Sequence, residues 1–120
     1  MNKIINVLEH IFLYCKDIED TMERFGKDKE VFAKDRDYRN SVCMSLLQIG
    51  ELTTHLPEDF RENTKKMIYW PAIKGTRNLF AHNYGAVDID MVWGTLMSDI
   101  PQLRDFCQKW IQGLRNKEGV

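Results

Sequence analysis

The chain has 120 residues, of which 43% are hydrophobic and 29% are charged. This length and composition suit one domain with one core and exclude a second independent domain. The formal net charge of −1 excludes the strongly basic overall composition that is typical of nucleic-acid-binding proteins.

The first half of the chain predicts two long helices and a short one. Residues 4–25 place apolar side chains at alternating steps of four and three, which is one face of an amphipathic helix. Gly26 is a natural stop for this helix. A second helical pattern runs from about Asp28 to Leu56, where Pro57 closes it, and a short polar helix follows over 58–68.

The second half predicts two further helical regions. Pro71 suits the first turn of a helix that should end near His82 and Asn83, because Gly85 follows. Asp88 is a candidate N-cap for the last region, in which Pro101 either starts a new helix or kinks a long one.

These patterns together predict a single all-α domain over residues 1–120. Its architecture should be an up-and-down bundle of four to five helices, with about 116–120 as a frayed tail. No strand-like alternation of useful length is visible.

The cysteines and the apolar segments bear on the compartment. Cys15, Cys43 and Cys107 show no paired spacing, which predicts free thiols in a reducing environment. The apolar stretch 11–15 is too short for a membrane span or a cleaved leader. We therefore expect a cytoplasmic protein without a membrane partner.

Charge is unevenly distributed along the chain. Residues 60–86 carry five basic side chains against one acid, whereas residues 17–37 lean acidic. The basic residues of the first range are Arg61, Lys65, Lys66, Lys74 and Arg77. A local basic surface could therefore hold phosphate groups despite the net charge of the whole chain.

The run from Lys74 to Tyr84 places a fixed cation, a titratable imidazole and a phenol within eight residues: Arg77, His82 and Tyr84. Asn78 lies four residues before His82 and could orient its imidazole by a hydrogen bond. These groups suit phosphodiester cleavage. An imidazole can move the protons, while a guanidinium stabilises charge on the phosphate oxygens.

RNA can be cut in this way without a metal, because its activated 2′-hydroxyl attacks the neighbouring phosphorus. One group must accept the 2′ proton and another must protonate the leaving oxygen, yet the motif supplies one histidine per chain. A symmetric homodimer would bring two copies of His82 and two of Arg77 to one cleft.

The spacing resembles the Arg-x4-His-x-Tyr signature of the HEPN superfamily, more narrowly its HepT toxin branch. The resemblance extends to Trp70, Ile73, Gly75 and Asn78 around the signature. It also includes the Ile49-Gly50-Glu51 step, Trp93 and the Asp99-Ile100-Pro101 step, so it covers essentially the whole chain.

This resemblance implies a helical, homodimeric, metal-independent endoribonuclease toxin that requires no cofactor. Arg77 and His82 would be the catalytic residues, with Asn78 and Glu51 in support. It further implies a minimal nucleotidyltransferase antitoxin as a partner, which silences the toxin by transferring AMP to Tyr84.

Other interpretations remain open at this point. The bundle could be a binding module that docks a nucleotidyltransferase and binds nucleotide, or a dimeric scaffold in which the signature only caps a helix. Gln48, Glu51 and His55 form a polar stripe that is read as a solvated face in preference to a metal pair. Alternatively, Glu51 faces the cleft and forms a salt bridge with Arg77.

Overall fold

A computed structural model describes residues 2–78 and 88–117 of the chain. These residues form helices and no strand, which confirms the all-α prediction. The α-helices are α1 (Asn2–Phe25), α2 (Lys29–Lys34), α3 (Arg36–Thr53), α4 (Glu58–Asn63), α5 (Trp70–Gly75), α6 (Ile89–Gly94) and α7 (Ile100–Lys117). A 3-10 turn over Thr76–Asn78 follows α5, and a π-helical turn over Thr95–Asp99 joins α6 to α7.

The core lies where α1 packs against both α3 and α7. Each long helix contributes side chains that are completely buried, including Leu8, Ile11, Ile18, Leu46, Ile49 and Leu103. The first predicted helix is confirmed, and Gly26 ends it with a φ of 111°, a left-handed conformation that glycine adopts without strain.

The prediction of one helix from Asp28 to Leu56 is wrong, because the chain breaks at Asp35. This residue is extended, with φ −100° and ψ 109°, and its carboxylate accepts a hydrogen bond of 3.1 Å from the backbone N–H of Tyr38. The break turns α2 so that the buried ring of Phe32 packs edge-on against Tyr38 at 5.0 Å. It also raises the number of helices among the described residues to six, counting α6 to α7 as one.

The later boundaries need smaller corrections. The polar helix α4 stops at Asn63 instead of residue 68. The predicted N-cap is confirmed, since the Asp88 carboxylate accepts the N–H of Met91 at 3.1 Å. The final helix includes Asn116 and Lys117, so it continues into the expected frayed tail, where basic side chains suit the negative end of the helix dipole.

Pro101 lies in the first turn of α7, which follows the π-helical turn without a gap. Because proline has no N–H and its ring crowds the preceding turn, an α-helix meets a local conflict there. The chain widens into the π-helical turn instead, in which the Ile100 N–H bonds to the carbonyl of Thr95.

None of the helices in the two described ranges is long and apolar enough to cross a membrane.

The three cysteines are buried free thiols, and Cys15 and Cys107 are completely inaccessible. Burial raises the pKa of Cys15 to about 12 and that of Cys43 to about 11, because a thiolate loses hydration inside the core. Burial also raises the pKa of Cys107. The thiols therefore pack as small hydrophobic groups.

The cap that Asp35 gives α3 leads to a stability prediction. Asp35→Ala removes the cap of α3, so we expect the free energy of unfolding to fall by about 1 kcal/mol in urea denaturation. Asp35→Asn keeps an oxygen acceptor and serves as the matched control. Equal losses in both variants would contradict a capping role.

The buried thiols predict an alkaline loss of stability. A thiol whose pKa is higher in the folded state stabilises the fold below pH 9.0, the ordinary thiol value, and this contribution declines as pH rises toward about 12.

We expect the native protein at pH 8 to resist a thiol-reactive chromogenic disulfide until urea unfolds it. Labelling of the native protein at the rate of the unfolded chain would be inconsistent with this burial.

Candidate active site

Two buried side chains anchor α5, which leads into the site. Trp70 and Ile73 lie three residues apart on one helical face and are each 4% exposed. The indole N–H of Trp70 donates a hydrogen bond of 2.8 Å to the Thr64 hydroxyl, and its ring packs edge-on against Phe106 at 5.5 Å. These contacts fix the direction in which the chain approaches Arg77.

The hydroxyl of Thr76 ties the following 3-10 turn to α3. Its Oγ1 lies 2.7 Å from the carbonyl oxygens of both Leu46 and Ile73, so its single proton is donated to one or shared between them. Thr76 is buried, and a bond to a neighbouring helix in such a place is costly to lose. The backbone of the next residue, Arg77, is thereby positioned.

A close approach of two backbones explains Gly50. A Cβ at this position would lie 2.6 Å from both the Arg77 nitrogen and the Thr76 Oγ1, which is too short for non-bonded atoms. Only glycine lets α3 come this near to the 3-10 turn. The two residues next to Gly50 lie in different environments: Ile49 is completely buried in the core, while Glu51 is exposed.

This approach brings two of the predicted site residues together. A carboxylate oxygen of Glu51 lies 3.9 Å from a terminal nitrogen of Arg77, and the two side chains are 58% and 39% exposed. An ion pair this open to water contributes about 0 to 1 kcal/mol to stability. Its main consequence is therefore to orient a guanidinium that remains accessible to a ligand.

The other predicted site residues are only partly placed. Asn78 is exposed and ends the 3-10 turn, next to Arg77. His82 and Tyr84 lie outside the residues that the structure describes. The convergence of Arg77, His82 and Tyr84, and the hydrogen bond from Asn78 to His82, stay predictions.

The basic residues near the site form an open surface on the described side of it. Lys66 and Lys74 are exposed, and Lys74 precedes Arg77 by three residues, which is close to one helical turn. Lys65 forms an ion pair of 2.5 Å with Glu62. Lys74 and Arg77 therefore present neighbouring positive charges.

The alternatives for the polar stripe can be compared with this geometry. Glu51 faces Arg77, while His55 is exposed near the end of α3. Within residues 2–78 and 88–117, no three His, Cys, Asp or Glu side chains are grouped closely enough to hold a metal ion. Trp70 is buried, and Trp93 and Trp110 are partly buried against the core.

A groove of about 450 Å³ lies elsewhere, between α1 and α7. Its lining includes Phe12, Leu13 and Ile111, and an ion pair between Glu9 and Arg115 borders it. None of its lining residues belongs to the predicted site. The groove is therefore separate from the candidate site around Arg77.

The positioning roles of Gly50 and Thr76 were not predicted from the sequence. A glycine inside a helical pattern costs about 1 kcal/mol relative to alanine, and this cost is the signal that could have indicated a close contact. Thr76 gave no comparable signal, because a buried threonine hydroxyl can bond within its own helix as readily as to a neighbour.

Comparison with known proteins gives one family and several relatives. The family described as Ribonuclease HepT-like matches residues 11–110. "Putative RNase TTE0752" of Caldanaerobacter subterraneus subsp. tengcongensis is 32% identical over 111 residues, which are 92% of this chain and 93% of that protein. "Probable ribonuclease HepT" of Thermococcus cleftensis is 30% identical over 101 residues, covering 80% and 91% of the two chains.

A further relative extends the same pattern. "Putative RNase MJ1380" of Methanocaldococcus jannaschii is 30% identical over 97 residues, which are 78% of this chain and 87% of that protein. No solved structure gives a significant match.

The tight contact at Gly50 can be tested directly. Gly50→Ala forces α3 away from the 3-10 turn, so we expect it to lower the free energy of unfolding by about 1–3 kcal/mol in urea denaturation. Gly113→Ala in α7 is the matched control, because nothing lies within 4 Å of a Cβ there. The control should stabilise the protein by up to about 1 kcal/mol, and the same gain in Gly50→Ala would disprove the close approach.

Proposed function

The chain belongs to the ribonuclease HepT-like family, and from this membership we propose that it is a metal-independent endoribonuclease toxin of a toxin and antitoxin pair. Its substrate is single-stranded RNA. Arg77 holds the scissile phosphate, His82 transfers protons, and Asn78 orients the imidazole. Glu51 supports Arg77 from α3.

The observation that carries this proposal is that Arg77 is fixed at its backbone and open at its guanidinium. Gly50 and Thr76 hold the backbone against α3, while the side chain remains 39% exposed. A phosphate binds best to a planar, permanently charged fork that is already in position.

In the proposed reaction the 2′-oxygen attacks the adjacent phosphorus as its proton leaves to a base. The bond from phosphorus to the 5′-oxygen breaks, and an acid protonates that oxygen. The products are a 2′,3′-cyclic phosphate and a free 5′-hydroxyl. Imidazole suits both proton transfers because its usual pKa lies near neutrality.

Glu51 is suited to prepare Arg77 between turnovers. At 3.9 Å the carboxylate attracts the guanidinium without the short contacts of a tight bidentate pair. An incoming phosphate can therefore take over the guanidinium donors at little cost. In the absence of RNA, the carboxylate of Glu51 holds the guanidinium of Arg77 in place for the next substrate.

The need for both a base and an acid supports a homodimer. One chain has one motif histidine, so a two-fold axis between two signatures would supply His82 and Arg77 from each protomer. The exposed position of Arg77 and Glu51 is compatible with a facing protomer.

Silencing would act on the motif tyrosine. A nucleotidyltransferase antitoxin transfers AMP from ATP to the Tyr84 hydroxyl: the phenolic oxygen bonds to the α-phosphorus, the bond from that phosphorus to the oxygen of the β-phosphate breaks, pyrophosphate leaves, and the phenolic proton is released. The added phosphate competes with RNA for the cationic donors and repels the substrate. The antitoxin would therefore inhibit the enzyme by occupying the site covalently.

The decisive experiment compares purified wild-type protein with His82→Ala on single-stranded RNA in excess chelator. We expect the wild type alone to leave fragments with 2′,3′-cyclic phosphate ends, and the variant to lose at least about 100-fold in rate. His10→Ala is the matched control, because His10 is exposed on α1 and bonds only to the carbonyl of Asn6 among the described residues.

Two outcomes would contradict the proposal. Cleavage that survives in His82→Ala would remove the histidine mechanism. No cleavage by wild-type protein, shown by mass to carry no AMP on Tyr84, would favour the binding module that docks a nucleotidyltransferase.

A further inference from the structure

Tyr69 exposes an aromatic ring beside the candidate site. Its exposure of 72% is the largest among the exposed large hydrophobic side chains of the described residues. Within that part of the chain its ring packs on no other aromatic ring, and its hydroxyl makes no hydrogen bond. The ring is therefore largely open to solvent.

The backbone beneath this ring is nevertheless fixed. The two neighbours of Tyr69 are buried, with Ile68 5% and Trp70 4% exposed. The Tyr69 carbonyl accepts the N–H of Ala72 at 3.2 Å, at the start of α5. The ring is thus held outward by residues packed in the core on both sides of it.

The surroundings of Tyr69 are cationic. Lys66 precedes it by three residues, so their Cα atoms lie within about 11 Å. Lys74 and Arg77 follow along α5 and the 3-10 turn, at a distance of roughly 8 to 13 Å along the helix. An exposed aromatic ring among such charges is the arrangement that single-stranded nucleic acids bind, with bases on rings and phosphates on cations.

We infer that Tyr69 is a stacking platform for a base of the RNA strand, a few nucleotides from the phosphate that Arg77 holds. Lys74 binds a phosphate between these two points, and Lys66 binds one on the other side of Tyr69. The inference rests on the proposed function in taking RNA as the ligand. It adds a binding track that lies wholly on the described residues.

A protein partner fits this surface less well. Met67 is also exposed, at 58%, so a small apolar patch accompanies the ring. The centres of protein interfaces, however, are depleted of lysine, and here the exposed Lys65, Lys66 and Lys74 flank the two apolar side chains in the sequence. Stacking on Tyr69 uses both the ring and the charges.

The test measures binding of a single-stranded oligoribonucleotide whose 2′-hydroxyls are methylated, so that it cannot be cut by 2′-oxygen attack. A 2-aminopurine base reports stacking, because its fluorescence is quenched against an aromatic ring. We expect Tyr69→Ala and Tyr69→Leu to weaken binding about 5- to 100-fold and to abolish the quenching. Tyr69→Trp should retain both, and Met67→Ala is the matched control for exposed apolar surface.

The phosphate contacts have their own readout. Lys74→Gln should reduce the slope of log affinity against log salt by about one, since one cation no longer displaces counterions. Lys109→Gln, an exposed lysine on α7, is the charge-matched control and should leave the slope unchanged.

Three results would overturn the inference. Binding and quenching that are unchanged in Tyr69→Leu would exclude stacking. Equal losses in Tyr69→Ala and Met67→Ala, with altered sedimentation of the protein, would identify a protein interface instead. Equal effects of Lys74→Gln and Lys109→Gln would exclude a local phosphate track.

The two proposals fail separately. If unmodified RNA is not cleaved by the wild type but the methylated strand stacks on Tyr69, the nuclease proposal fails and the platform remains. If RNA is cleaved but Tyr69→Ala binds it as the wild type does, the platform fails alone.

Discussion

The contact between α3 and the 3-10 turn at Gly50 brings together Arg77 and Glu51, two of the candidate site residues that the structure describes. The missing side chain lets the Arg77 nitrogen lie where a Cβ would be 2.6 Å away, and the Thr76 hydroxyl bonds across the same gap. With α3 further away, Glu51 would not reach Arg77, and Thr76 would lose its second acceptor.

This arrangement separates the residues that hold the site from those that are available to a ligand. Trp70, Ile73 and Thr76 lie on the buried side of the segment, whereas Lys74 and Arg77 lie on its open side. Catalysis on a polyanion requires cations that are accessible to the substrate and held in a fixed position. A segment with one buried side and one open side provides both. The formal net charge of −1 does not indicate this basic open side, since positive and negative charges cancel over the whole chain.

Much of the fold followed from the sequence, because apolar spacing in α1 and α7 directly reflects burial. The break at Asp35 did not, since the apolar pattern continues across it, and the turn becomes favourable through the cap that Asp35 gives α3 and the packing of Phe32 on Tyr38. The motif indicated Arg77 and Glu51 as site residues, and the structure places them 3.9 Å apart. Their catalytic roles, and those of Asn78, His82 and Tyr84, stay predictions.

The fixed backbone of Arg77 also affects the entropy of ligand binding. Ordering a flexible loop residue on a ligand costs about 1–2 kcal/mol for the backbone alone. Here that cost is met when the protein folds, because the Thr76 hydroxyl bond and the close approach of Gly50 already hold the backbone at the Arg77 nitrogen. A ligand then has to restrict only the side chain of Arg77, which still costs up to about 2 kcal/mol, so the fixed backbone removes roughly half of the ordering penalty.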